Sequence, residues 1–349
     1  MQNEKYAPEV IVETSGLTEE EWLEYRRQGI GGSDAAALMG VSPFATARDL
    51  YYDKLKIVSY KDDDSNWVEK RIGHLLEDLV AEIFCKKTDY HIYQIHKMFR
   101  HPVYSFMLAD IDYFITLPNG ETAILEIKTT NYNAKDKWWF DGKKTVPVNY
   151  EIQGRHYMTV MDLDHVFYCC LYGNNEDEVI IRHIERDKAY EDELIALESD
   201  FWNNYIQKKI PPPYTEDGEM ILRSVRSHFG PADTNAPQVE LSLSQASCVS
   251  RFLELQAQKK IADEQSKKLG NEMKRLQGHI VSEMGRSCTA ACFVDGNSYT
   301  ITYNSSGKPI ITKDNLARLR AQHPDIYDEY VTVSESRRFY VKKSHETAA

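Results

Sequence analysis

The chain predicts an α/β protein: a mixed central sheet flanked by helices, followed by a helical arm with a small α+β tail. Three observations predict it. Two strand-like arms meet at a turn in MLADIDYFITLPNGETAILEIKTT, two further apolar runs (HVFYCCLY and EVIIRHIE) follow a helix-like segment, and Pro211-Pro212-Pro213 ends this region before a long helix-periodic stretch. The predicted organisation is a domain over 1–213, a linker over 214–240, and a module over 241–349 suited to oligomerisation or partner binding.

Charge and composition narrow the function. The 349 residues carry a formal net charge of −12, split as about −16 before residue 241 and about +4 after it. Phosphate binding needs positive surface, so a nucleic-acid site here has to be a locally basic, metal-loaded cleft in an acidic protein. Much of the acid lies in Asp62–Asp64 and along Glu176–Asp200, read as solvated faces. The six cysteines include no C-x-x-C pair, and Cys169-Cys170 in an apolar strand read as buried thiols rather than a zinc or iron-sulfur site. No apolar run reaches membrane-spanning length, and the polar start MQNEKYAPEV lacks signal-peptide features, which points to the cytoplasm and to no membrane partner.

The elements follow in order. In RRQGIGGSDAAALMG, Gly29, Gly31 and Gly32 suggest a flexible loop, Ser33 an N-cap and Asp34 a helix start. Bare amides at that terminus, with Arg26 and Arg27 upstream, make a candidate phosphate cradle; an ordinary capped helix is the alternative. A second helix is expected from Ser42-Pro43. Residues 67–86 read as an amphipathic helix with Leu76, Leu79, Val80, Ile83 and Phe84 on one side and Glu77 at the edge of that stripe, either a metal-site acid or a surface one.

The next segment carries the chemistry. Leu117-Pro118-Asn119-Gly120 is a hairpin turn with proline at the second position and Gly120 at a left-handed bulge. That register sets Leu117 opposite Glu121 and brings Asp112 opposite Glu126; Glu126 and Lys128 share a face while Ala123, Leu125 and Ile127 point inward. Two opposed carboxylates repel unless a cation sits between them, and a hard divalent ion such as Mg2+ supplies it. The lysine can orient or deprotonate a bound water, or stabilise charge on an attacked phosphoryl group. A Glu-x-Lys triplet alone is common, and Glu272-Met273-Lys274 repeats it, but only the first copy lies on a strand with an aspartate opposite.

Downstream, NYNAKDKWWFDGKKTVPVNY interleaves Lys135, Lys137, Lys143 and Lys144 with Trp138, Trp139 and Phe140. This suits nucleic acid, with charge for the backbone and rings to stack on bases; tryptophans anchoring a loop are the alternative. A helix over 148–161 puts Gln153 and Tyr157 on one face, Gln153 as a candidate catalytic residue and Tyr157 as a candidate DNA contact. A helix over 188–207 ends at the prolines, and the chain to about 238 reads as loop. In 241–285, Leu269, Met273, Leu276, Ile280 and Met284 recur at coiled-coil spacing, as in a short coiled coil or helical hairpin. A hairpin at Asp295-Gly296-Asn297, a helix over 313–322 and a strand, RFYVKK, complete the tail.

Taken together in order, RRQGIGGSDAAALMG, GHLLEDLVAEIF, MLADIDYFI, ILEIKTT, YEIQGRHYM and FWNNYIQKKIPPP resemble the phage-type recombination exonucleases of the YqaJ class. These are relatives of phage lambda exonuclease in the restriction-endonuclease-like, PD-(D/E)xK fold. The resemblance covers roughly residues 20–213. It implies Asp112, Glu126 and the backbone carbonyl of Ile127 as metal ligands, Lys128 as the catalytic lysine and Glu77 as a further support of the metal. It implies Arg26 and Ser33 as binders of the terminal phosphate, with Gly32 and its neighbours allowing close approach. Gln153 falls in a motif where relatives commonly show Gln-x-Gln-His-Tyr and this chain has Arg155 at the second glutamine. Asp110 shares a face with Asp112, but the family aspartate follows an Ala-x-x segment, here Ala109-Asp110-Ile111, which favours Asp112.

The resemblance further implies Mg2+-dependent digestion, with Mn2+ as a substitute, of the 5′ strand at duplex DNA ends in a bacterial host of a phage or prophage. It would leave a 3′ strand for a single-strand annealing protein, and the lambda enzyme works as a ring of three subunits. A structure- or sequence-specific endonuclease on the same fold, and a non-catalytic protein that binds DNA ends or a partner, remain open alternatives.

Overall fold

In chain order the first part of the protein forms β1 (Glu9–Glu13), α1 (Glu19–Arg26), α2 (Gly32–Leu38), α3 (Ala47–Lys54), α4 (Trp67–Thr88), β2 (His91–Tyr93), β3 (Lys97–Arg100), β4 (Leu108–Asp110), β5 (Tyr113–Thr116) and β6 (Thr122–Thr129). It continues through β7 (Trp139–Phe140), β8 (Lys143–Lys144), α5 (Val148–Met161), β9 (His165–Leu171), β10 (Val179–Glu185), α6 (Lys188–Asp200) and α7 (Gly218–Phe229). The computed structural model describes residues 6–57, 67–230, 235–307 and 310–332. The acidic run Asp62–Asp64 and the expected strand RFYVKK lie outside the described residues. Two compact units divide the chain, Met1–Pro231 and Ala232–Ala349.

The predicted mixed sheet is present, in the order β10-β9-β6-β5-β2, with β6 and β9 parallel and the other pairs antiparallel. The hairpin register is the predicted one, Tyr113 opposite Leu125 through Thr116 opposite Thr122. Gly120 takes a φ of +87° in the turn, and the Leu117 amide donates to the Glu121 carbonyl at 2.9 Å. The period of two then sorts the side chains of β6. Ala123, Leu125 and Ile127 pack with Val80, Ala81, Ile83 and Phe84 of α4. Ile124 belongs to the opposite cluster, with Tyr157, Met158 and Val160 of α5. Both faces are covered, so residues Ala123 to Ile127 of β6 are buried, and Glu126 on the α5 side is wholly so. Cys169 and Cys170 alternate between the same two clusters as free, buried thiols pushed up by burial to about 12.

Several elements differ from expectation. The first hairpin arm is two strands: β4 pairs with β3 in a separate sheet, β1-β3-β4, while β5 joins the central one. The chain therefore changes sheets at Ile111-Asp112. The helix expected at Ser42-Pro43 begins at Ala47, capped by Thr46, because Ser42 Oγ instead closes a turn by accepting from the Phe44 amide at 3.2 Å. Lys188–Gln207 is helical, but α6 gives way to a π-helical turn over Phe201–Ile206, where the Gln207 amide reaches the Trp202 carbonyl at 2.9 Å. The expected linker over 214–240 contains α7, which docks on α3. Ser224 Oγ donates to Asp49 at 2.5 Å, and the His228 ring stacks on Tyr52 at 4.0 Å. Within Glu176–Asp200, Glu191 and Glu198 are buried rather than solvated, because Arg186 and His156 pair with them at 2.8 and 2.7 Å.

The second unit forms α8 (Leu243–Met284), β11 (Thr289–Val294), β12 (Asn297–Thr302), α9 (Lys313–Gln322) and α10 (Pro324–Tyr330). Instead of a helical hairpin, α8 is one unbroken helix of 42 residues, and no residue of it is buried. Asp295 and Gly296, at φ of 48° and 81°, give the predicted tight turn between β11 and β12. Helix α9 has the predicted bounds, and α10 was not anticipated. No described helix is long and apolar enough to cross a membrane.

Candidate active site

The change of sheet at Ile111-Asp112 positions the first acid. One Asp112 oxygen accepts the Ile127 amide at 2.8 Å, which fixes the carboxylate against β6 just beyond the last ladder pair of the hairpin. Glu126 lies across from it, and Lys128 follows on the same face with Nζ 2.8 Å from Glu126 Oε2. The other oxygen of Glu126, Oε1, is buried with no hydrogen-bond partner. Such an orphan in a native core calls for an explanation.

Electrostatics sharpen it. Burial, followed by the charge of Asp112, pushes the Glu126 carboxyl up to about 8, with Lys128 opposing. Burial raises Asp112 as well, against Lys128 and the Ile127 amide. Burial works against the Lys128 ammonium, but Glu126 and Asp112 more than offset it and hold its pKa above the ordinary lysine value. Lys128 Nζ also lies 5.2 Å from the centre of the Tyr150 ring. Fully ionised, the pair would carry more negative charge than one lysine neutralises, and both carboxyls are raised. An unpartnered carboxylate oxygen beside a second carboxylate is a donor set that a hard divalent cation fits.

Glu77 reaches this region from α4, and burial first, then Asp112, raises it to about 7. It is close enough to sense Asp112, yet among the described residues no three His, Cys, Asp or Glu side chains converge as a metal cluster. The expected third carboxylate therefore stands outside the opposed pair. Asp110 is separated from Asp112 by the change of sheet: it ends β4 and accepts the Trp22 indole N–H at 2.7 Å.

Trp22 links Asp110 to the expected phosphate cradle. It sits one turn before Arg26 on α1, and the Arg26 guanidinium lies 4.8 Å from its ring centre. Arg26 donates to Ser33 Oγ at 2.7 Å and to Asp34 Oδ1 at 3.0 Å, so the two residues expected to share a phosphate are already in contact. The capping differs from expectation: α2 starts at Gly32 with Gly31 as its cap, and Asp34 accepts the Gly31 amide at 3.0 Å. That frees Ser33, which is exposed, from capping. Nor does the loop hang loose, because the Ile30 amide donates to the Phe106 carbonyl at 2.6 Å and the Leu108 amide donates to the Ile30 carbonyl at 2.8 Å. Gly32 serves helix packing: a Cβ there would lie 2.7 Å from Tyr157 and 2.9 Å from Gln153.

Gln153 Nε2 and the Tyr157 hydroxyl are 3.3 Å apart, and Tyr157 is buried between α2 and the acids. It is not the open DNA contact expected for it. Trp138 is likewise corrected. It is 1% exposed and packs on Tyr150 and Tyr168, so the exposed rings of this loop are Tyr132, Trp139 and Phe140, the last 75% exposed, beside exposed Lys137, Lys143 and Lys144.

Sequence reasoning missed four contributors. Trp22 had a signal, its spacing of four from Arg26. Lys54 and Tyr150 had none, being placed by tertiary packing. His156 lies within the quoted YEIQGRHYM segment; its ring nitrogens sit 2.7 Å from Glu198 and 2.8 Å from the Leu108 carbonyl, and this ties β4 to α5 and α6.

Residues 21–164 match the YqaJ-like viral recombinase domain. The chain is 30% identical over 339 residues to the YqaJ protein of Bacillus subtilis strain 168, covering 96% of this chain and 98% of that one. Among solved structures it is similar to LHK-Exo, an alkaline exonuclease from Laribacter hongkongensis (TM-score 0.45, 19% identity, 60% of this chain and 99% of that chain). It is also similar to a phage-related exonuclease from Haemophilus somnus 129PT (TM-score 0.39, 12% identity, 54% and 99%). On the match to the domain and to a relative of nearly equal length, this chain belongs to the YqaJ-like viral recombinase family.

Proposed function

We propose that the protein is a metal-dependent DNA exonuclease of phage-type recombination that hydrolyses the 5′ strand of duplex ends. The observation that carries this reading is the opposition of Asp112 and Glu126, with Glu126 Oε1 buried and unpartnered and Lys128 Nζ 2.8 Å from Oε2. Asp112, Glu126 and the Ile127 carbonyl would hold Mg2+, or Mn2+ in its place, with Glu77 supporting from α4. A divalent cation there supplies a Lewis acid that polarises a phosphodiester and makes bound water more acidic. Lys128, kept protonated by the two acids, stabilises negative charge gathering on the attacked phosphoryl oxygens. Tyr150 beneath its ammonium, and Gln153 with Tyr157 on α5, hold this wall of the site in place. Arg26 and Ser33 take the terminal phosphate, and Trp22, which contacts both Arg26 and Asp110, sets its distance from the acids.

The released 3′ strand would pass to a single-strand annealing protein, and residues 241–349 are proposed to contact that partner or a neighbouring subunit. A linear duplex with each strand labelled separately tests the core reading. Loss of the 5′-phosphorylated strand in Mg2+, abolished by chelator and reduced by at least a thousandfold in Lys128→Ala, is the expected result. Cutting of closed circular DNA would replace the exonuclease reading with an endonuclease one, and full activity of Lys128→Ala would end both.

A further inference from the structure

Behind the contact between Arg26 and Ser33 lies a second basic residue. Lys54 of α3 has a side chain only 2% exposed, and its ammonium sits 2.8 Å from Asp34 Oδ2 and 2.9 Å from the Arg26 carbonyl. The other oxygen of Asp34 faces the Arg26 guanidinium at 3.0 Å. The three side chains form a line, Lys54–Asp34–Arg26, whose outer end is a partly exposed guanidinium against the exposed Ser33 hydroxyl.

Charge counting along that line gives Lys54 a task. Arg26 and Asp34 alone make a neutral pair, and a neutral pair has little to offer a phosphate. Adding Lys54 restores one net positive charge. Being buried, Lys54 cannot reach a ligand itself, so the surplus is expressed at Arg26. Of the other acids that act on Arg26, Asp53 is paired with Arg27 at 3.0 Å, while Asp110 carries only the neutral Trp22 indole N–H and has its carboxyl raised by burial.

We propose that Lys54 is a positioning residue for end recognition: by neutralising Asp34 it frees the Arg26 guanidinium from that carboxylate for the 5′ phosphate of a DNA strand. This rests on the assignment of Arg26 and Ser33 to the terminal phosphate. Asp34 remains ionised throughout, because Lys54 and Arg26 outweigh its burial and hold its carboxyl down at about 2. The same burial falls on Lys54, drawing its pKa below the ordinary lysine value against the pull of Asp34. Desolvating an ammonium is costly, and a purely structural contact at this position could be made by an apolar side chain.

The test is binding of the full-length protein, in chelator, to one duplex bearing either a 5′ phosphate or a 5′ hydroxyl, followed by fluorescence anisotropy. Wild type should prefer the phosphate. Lys54→Met should lose that preference by on the order of tenfold, and Lys54→Met combined with Asp34→Asn should regain it, since the pair then leaves Arg26 alone with its charge. An unchanged preference in Lys54→Met overturns the proposal, as does a double variant that stays as weak as the single one. Should Lys54→Met fail to melt as a folded protein, Asp34→Asn alone decides: retained or tighter phosphate binding supports the charge balance, and a tenfold loss overturns it. A wild type with no phosphate preference would instead remove the assignment of Arg26 and Ser33 on which the proposal stands.

Discussion

Glu126 shows how much of a site can be held in one side chain. Its alternation with Leu125 and Ile127 and its place opposite Asp112 follow from the turn at Gly120 and were legible from sequence. Its complete burial was not, because that depends on α5 covering the second face of the sheet. The consequence is a carboxyl raised from its ordinary 4.5 to about 8. A folded state that keeps a proton the unfolded chain has released loses stability as pH rises through that window. Without divalent cation, melting temperature should therefore fall between about pH 5 and pH 8, and Glu126→Gln, which cannot ionise, should flatten the curve and melt higher than wild type at pH 8 to 9. Scanning calorimetry in chelator across that range checks it. Adding Mg2+ at pH 8 should raise the wild-type melting temperature and leave Glu126→Gln unmoved, since only a group that binds the native state stabilises it.

At the scale of elements, the predicted helices and strands with strong periodicity appear with nearly the predicted bounds, α5, α9 and the β5–β6 hairpin among them. What escaped was set by contacts distant in sequence. β1 and β3 are short and find each other across the chain, α2 is capped at Gly31, whose amide Asp34 accepts, in place of Ser33, and Trp138 could be told from Phe140 only by which of them α5 and β9 enclose. That last distinction predicts opposite phenotypes for adjacent residues. Trp138→Ala should cost about 3–5 kcal/mol of stability through the cavity it leaves. Phe140→Ala, at a position 75% exposed, should stay within about 0.5 kcal/mol yet weaken single-stranded DNA binding, by roughly 1–3 kcal/mol if a base stacks there. Denaturant melts and an oligonucleotide titration separate the two effects. His156 provides a companion case. Both of its nitrogens are engaged in a buried bridge, so His156→Leu strands Glu198 without a partner and should destabilise by about 3–5 kcal/mol in urea melts. Combining it with Glu198→Gln should recover part of that loss.

For the whole molecule, the decisive boundary is where the first unit ends. Three consecutive prolines suggested residue 213, and proline does stop α6 and the π-helical turn after it. The chain then turns back. Glu216 accepts the Ala47 amide at 2.8 Å, Asp217 caps α7, Arg223 donates to the Pro43 carbonyl at 3.0 Å, and Ser224 and His228 close on Asp49 and Tyr52. Helix α7 thus covers α3, the helix that carries Lys54 and through it Asp34 and Arg26. The sequence held the signals for this helix, an Asp217 cap with Ile221 and Val225 one turn apart, but surrounding glycines and prolines masked them. A fragment of residues 1–230 should accordingly fold cooperatively and retain the proposed nuclease activity at the level of the full chain. A fragment of residues 1–213 exposes the face of α3 and leaves Asp49 without Ser224; it should melt well below the longer one and be cut early by protease within residues 42–57. Side-by-side melts and limited proteolysis of the two fragments decide the point. Equal melting temperatures would mean that α7 is an appendage and that 213 was the true edge, whereas a gap between them makes the proline run an internal turn. Activity surviving in the 1–230 fragment would further assign the 42-residue helix and the tail beyond it to assembly or partner capture rather than to chemistry.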